Sequence, residues 1–215
     1  MTIPTASVSD ASHIAARGAI VAAGLALLAL GALHILRPDL DPSRQMISEY
    51  AIGRFGWLMT VCFALFAAAS ASLFLALMGN TSTLVGRIGL IFLLVAATGL
   101  AMGAAFRTDP LSTAPEAMTF SGRMHGVSFM IGVPGVLVAT LLLSFALRTH
   151  ETWIGLPLLS LMAITWLSLA AMAIAIAVTM KHLGVDVSSI VGWTNRLFMA
   201  GYALWVIVVA WPMAR

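Results

Sequence analysis

A bundle of six membrane-spanning helices is the fold that this sequence predicts, and three observations predict it. The chain is 61% hydrophobic and only 9% charged, against about a quarter charged in a soluble domain. Its apolar residues gather into six runs, each near the roughly 20 residues that a helix needs to cross a bilayer. No ten-residue alternation of barrel type separates them, and backbone exposed to lipid must bond within its own segment, so the spans are helices and not strands.

The predicted runs are 18–36, 55–78, 88–106, 124–147, 154–180 and 197–213. Residues 1–16 read as a short polar tail, and 17–215 as a single six-helix domain. The first run has no small-residue cleavage site behind it, so it reads as a retained span and not as a signal peptide. In the third, Gly99 and Gly103 form a small-residue pair that lets a neighbouring helix approach. In the fourth, Pro134 between Gly132 and Gly135 predicts a packing kink. The pairs Gly56-Trp57 and Gly192-Trp193, before the second and sixth runs, read as aromatic anchors at the membrane interface.

Alternation of the spans puts loops 37–54, 107–123 and 181–196 on one face, and loops 79–87 and 148–153 on the other with both termini. The long-loop face carries seven Lys and Arg residues against four, and the positive-inside rule then makes it cytoplasmic. The expected location is the inner (cytoplasmic) membrane, crossed several times.

None of the six runs holds an Asp, Glu, Lys or Arg between its ends. Pumps and proton-coupled transporters place ionisable groups at mid-membrane, so a midplane-coupled transporter is disfavoured and any site belongs at the interface. The single cysteine, Cys62, lies inside an apolar run, which leaves no disulfide framework or thiolate metal site. A net charge of +3 spread over short loops offers no nucleic-acid surface.

The polar residues concentrate in 34–57, with three arginines, three carboxylates, His34 and Tyr50. Asp41-Pro42 reads as a helix cap followed by proline in the first turn. The next ten residues then form a short interfacial helix, with Met46, Ile47, Tyr50 and Ala51 on one face and Arg44 and Ser48 on another. Arg123 and His125 fall at the start of the fourth span, and Asn195 and Arg196 at the start of the sixth. Arginines there oppose the helix dipole, so Asp39, Asp41, Glu49 and Asp109, or an anionic ligand, are expected to compensate them.

His34-Ile35-Leu36-Arg37-Pro38-Asp39-Leu40-Asp41-Pro42, Ile47-Ser48-Glu49-Tyr50 and Gly56-Trp57-Leu58-Met59 resemble the opening signature of the bacterial membrane family catalogued as domain of unknown function 998. Phe106-Arg107-Thr108-Asp109-Pro110, Gly122-Arg123-Met124-His125-Gly126 and Asn195-Arg196-Leu197-Phe198 are similar to its later motifs, in the same order. The resemblance covers nearly the whole chain and implies about six spans. It implies no activity.

Three functional readings fit these residues. In the first, a lipid-like or other amphiphilic molecule, anionic at its head, is bound or processed at the interface by Arg44, Tyr50, Arg107, Arg123, Asn195 and Arg196. His125 with Ser48, Glu49 or Asp109 would supply acid-base chemistry; the same charges could equally form a salt-bridged plug tying the loops together. In the second, His34, His125 and His182 gather a metal or haem, although their spacing gives no local ligand motif and no cofactor is predicted. In the third, the chain is a non-enzymatic subunit packed against a membrane-protein partner.

Overall fold

The computed structural model describes residues 10–111, 113–180 and 188–215, without the side chains of 179, 180, 188 and 189. Among the described residues there are six α-helices and no strand: α1 Asp10–Leu36, α2 Gly56–Leu77, α3 Leu84–Ala105, α4 Phe120–Leu147, α5 Leu158–Met180 and α6 Ser188–Ala214. Each contains a segment long and apolar enough to cross a membrane. Short 3-10 turns, Ile47–Ala51 and Pro115–Ala117, interrupt the first and third loops.

Along the membrane-spanning length of α1, residue size and not polarity decides which face turns inward. In α1 the buried stripe is Ala16, Ala19, Ala23, Ala26 and Leu33, while Val21, Leu28 and Ile35 point outward. Small inner residues bring backbones together where no hydrophobic gradient exists between helix and lipid. The Cys62 thiol on α2 consequently reaches Ala26 O on α1 at 3.4 Å.

The helices follow one another around a ring in which α1 also packs on α6. The seam between α3 and α4 is the most extensive, and α4 touches α5 and α6 much less. Glycine makes that seam. A Cβ on Gly99 would strike the Gly132 backbone, and one on Gly135 would strike the backbone of Ala96. Pro134 sits between those two contacts inside an unbroken α4.

Buried His13 Nδ1 and Gln45 Oε1 have no partner among the described residues, but several polar groups inside the bundle are paired, as a bilayer favours. Ser70 Oγ donates to Phe66 O at 2.8 Å and lies 2.7 Å from Tyr202 Oη, so the phenol must donate to the serine. Trp205 Nε1 donates to Ser144 Oγ at 2.8 Å. On the short-loop face Trp153 is buried, and its Nε1 donates to Val209 O at 2.8 Å. Arg17 Nε donates to Ala214 O at 2.9 Å, placing a cation at the C-terminus of α6 where the dipole favours it.

Several boundaries differ from the sequence expectation. Helix α1 starts at Asp10, so part of the expected tail is helical, with Ser12 and Ala16 buried. Helix α6 starts at Ser188 instead of near residue 197. Asn195 and Arg196 therefore lie two turns inside α6, beyond the reach of the end-of-helix dipole argument.

The ten-residue helix expected after Asp41 is instead a turn followed by the five-residue 3-10 turn Ile47–Ala51. Asp41 Oδ1 accepts from Ser43 N at 2.8 Å and Ser43 Oγ at 2.7 Å, a local turn that competes with helix. The Glu49 carboxylate then accepts from Met46 N at 3.0 Å and starts the 3-10 turn there. Of the expected apolar face, Ile47, Tyr50 and Ala51 are buried and Met46 is half-buried.

Candidate functional site

Loop 1, residues 37–55, folds back over the bundle and is held by two buried arginines. Arg37 is 8% exposed. Its Nε and Nη2 grip Asp39 at 2.9 and 2.7 Å, and Nη1 donates to Ile52 O at 2.7 Å and Arg54 O at 3.0 Å. One side chain thereby closes both ends of the loop. The Arg37 hydrogen bonds hold the Asp39 carboxyl below its ordinary range, so this contribution is present at neutral pH and is lost as pH falls through the lowered value.

Arg196 is 7% exposed and pins the middle of the loop. Nε donates to His34 Nε2 at 2.6 Å. Nη1 donates to Gln45 O at 2.8 Å and Gly192 O at 2.9 Å, and Nη2 to Tyr50 Oη at 3.1 Å. His34 Nδ1 lies 2.6 Å from Leu30 O. A carbonyl only accepts and a guanidinium only donates, so His34 here is neutral with its proton on Nδ1. Both of its ring nitrogens are engaged, which leaves no lone pair for a metal or haem.

Two glycines seat the loop. Gly192 N donates to Ser43 O at 2.8 Å, and a Cβ there would strike Pro42 O and Ser43. A Cβ on Gly56 would strike Ala51 O. The adjoining Trp57 and Trp193 are 60% and 56% exposed, as anchors at an interface would be. In each Gly-Trp pair, then, the glycine serves loop docking and the tryptophan faces outward.

Asp39 pairs with Arg37 and Asp41 with Arg44, whereas Glu49 and Asp109 hold backbone. Glu49 also accepts from Leu111 N at 3.2 Å, joining loop 1 to loop 3. Asp109 accepts from Thr119 N at 2.7 Å and Thr119 Oγ1 at 3.0 Å, while Thr119 Oγ1 caps α4 by accepting from Gly122 N at 3.0 Å. Replacing Asp109 with alanine should lower stability by about 1–2 kcal/mol, the usual scale for a lost cap network. A melting curve in detergent, with hydrogen exchange over residues 107–119, measures it.

Beneath loop 1 lies a cleft of about 70 Å³. Phe63 of α2 and Gly99, Leu100 and Gly103 of α3 form its floor. His125, Ser128, Phe129, Val133 and Val136 of α4 form one wall, and Asn195, Phe198 and Met199 of α6 the other. Met46, Ile47 and Ser48 roof it. From His125 to Val136 the wall runs about 16 Å at 1.5 Å per residue. The cleft exists because α4 and α6 hardly meet, and Phe129 on its edge is 43% exposed.

His125, in the second turn of α4, donates from Nδ1 to Phe106 O at 2.8 Å and sets its ring edge-on to Phe63 at 5.8 Å. Ser128 Oγ donates to His125 O at 2.6 Å. Asn195 Oδ1 accepts from Ile47 N at 2.9 Å. That bond fixes which end of the amide is oxygen and leaves the NH2 of this cleft-lining residue as its free donor among the described residues.

The expected site residues therefore divide. Ser48, His125 and Asn195 line the cleft. Tyr50 and Arg196 are buried in the clasp. Arg44, Arg107 and Arg123 are exposed; Arg44 Nε lies 3.7 Å from Asp41, and Arg123 donates to Met118 O at 2.7 Å. Among the described residues no three His, Cys, Asp or Glu side chains gather as a metal site, and His182 lies outside those residues. Sequence reasoning missed Ser128, Phe63 and Arg37. Ser128 carried one legible signal, a place one turn from both His125 and Gly132 on α4.

Fold and site together define a class: a polytopic helical membrane protein whose interfacial loop roofs an apolar cleft. The chain belongs to the family described as Protein of unknown function (DUF998), whose model matches residues 20–212. No curated protein and no solved structure matches it.

Proposed function

We propose that the cleft binds a single-chain amphiphile drawn from the bilayer, with its hydrocarbon chain along α4 and its head beside Ser48, His125 and Asn195. One observation carries this: the cleft is long, small in volume and mostly apolar, and among the described residues its polar side chains are Ser48, His125, Ser128 and Asn195. At about 70 Å³ it falls well below the about 300 Å³ of pockets that enclose compact ligands. A chain that leaves part of itself in lipid fits that shape; a fused-ring ligand does not. His125 and Ser48 are the titratable and nucleophilic groups at the head, so any processing of the ligand falls to them. Glu49 and Asp109 are occupied in holding backbone.

The membrane in question is the inner membrane of a bacterial cell. Helical spans support that placement, since outer membranes are crossed by barrels.

Photo-crosslinking tests the reading. A fatty-acyl probe with a diazirine near mid-chain should label the cleft stretches of α4 and α6 in wild-type protein. Gly103→Phe should abolish that labelling by filling the floor. Gly103→Ala should keep it, because a Cβ there meets only Ser128 Oγ at 3.5 Å and Phe63 at 3.6 Å. Labelling spread evenly over outward faces and unchanged in Gly103→Phe would sink the proposal.

A further inference from the structure

We infer that the amphiphile's head group is uncharged and carries a carbonyl oxygen, as in a monoacylglycerol or other neutral acyl ester. This rests on the cleft being an amphiphile site and goes further, to the chemistry that the site selects.

The first ground is charge. Among the described residues no Asp, Glu, Lys or Arg lines the cleft, and the nearest of them in sequence are occupied. Glu49, beside Ser48, accepts from Met46 N and Leu111 N. Arg196, beside Asn195, spends its guanidinium on His34, Gln45 O, Gly192 O and Tyr50. Arg123 is exposed and turned to Met118 O. A head group carrying charge would enter an apolar cleft with no counter-charge among the described residues, which is costly unless it is paired.

The second ground is the donor that waits there. Asn195 is 7% exposed and lines the cleft. Its Oδ1 is held by Ile47 N, and its NH2 has no partner among the described residues. A buried amide normally satisfies its donors, and an acceptor oxygen on the ligand does so here. Ser48 likewise lines the cleft; its Oγ has no partner among the described residues and can donate to or accept from a hydroxyl beside that carbonyl. His125 completes the polar end. The three groups amount to a neutral hydrogen-bonding collar at the mouth of an apolar slot. The anionic head expected from the arginines of the sequence is not what this collar matches.

The test is competition on the wild-type protein. A photoreactive monoacylglycerol labels the cleft in the presence of unlabelled competitors of equal chain length: monoacylglycerol, its ether analogue without the carbonyl, and an alkyl sulfate. The ester is expected to compete about tenfold better than the ether, the scale of one lost hydrogen bond, and better still than the sulfate. Ser48→Ala, which breaks no side-chain hydrogen bond among the described residues, should weaken ester binding severalfold without changing the melting temperature. Equal or stronger competition by the alkyl sulfate would overturn the inference while leaving the cleft as an amphiphile site. Equal competition by the ether would remove the carbonyl requirement. Failure of every acyl probe to label the cleft would remove the underlying function as well.

Discussion

Replacing Arg196 with methionine should lower the stability of the protein by about 3–5 kcal/mol, the range found when one partner of a buried polar network is removed. Four acceptors lose their donor at once: His34 Nε2, Gln45 O, Gly192 O and Tyr50 Oη. For a chain of this size that is roughly 10 °C in melting temperature. Arg196→Lys should fall between, because a single ammonium cannot reach acceptors spread around a planar fork. Arg107→Ala and Arg123→Ala should stay within about 0.5 kcal/mol of wild type, as exposed substitutions usually do. Thermal unfolding of the four variants in one detergent measures this. Wild-type melting by Arg196→Met would show that loop 1 does not depend on the clasp.

The second large effect belongs to the seam between α3 and α4. Gly99→Val places a branched side chain against the Gly132 backbone and Ser128 O. Neither can yield as a flexible side chain would, so the helices must separate along their closest contact. The cost should exceed about 3 kcal/mol, above the usual range for an overpacked core. Gly24→Val is the control, since a Cβ at Gly24 meets nothing within 4 Å. If Gly99→Val expressed, folded and melted like the control, the helices would not approach there.

Six spans, their alternation and the buried face of Ile47, Tyr50 and Ala51 were legible because bilayer thickness and helical period act locally on sequence. The start of α6 was not. Residues 188–196 are too polar to read as part of a span, and their helix is held by loop 1 docking on Gly192, a contact distant in sequence. The same misplacement hid Arg196, which looked like a terminal arginine awaiting a carboxylate. Asp41-Pro42 reads equally well as a helix cap and as the local turn that forms, and Glu49 settles the matter by starting the 3-10 turn at Met46. Arg37 and Arg196 are recruited by structure, so the long-loop face owes part of its positive excess to the clasp. The cleft itself was illegible, because it arises where α4 and α6 fail to pack.

In this protein, then, the buried arginines build the roof and neutral groups line the room below it. The most direct test is an experimental structure in native-membrane nanodiscs with endogenous lipids retained. The expected result is elongated density along α4 from Val136 to His125, ending within hydrogen-bonding distance of Asn195 Nδ2. An empty cleft, with ordered lipid phosphate bound instead by Arg107 and Arg123, would contradict it.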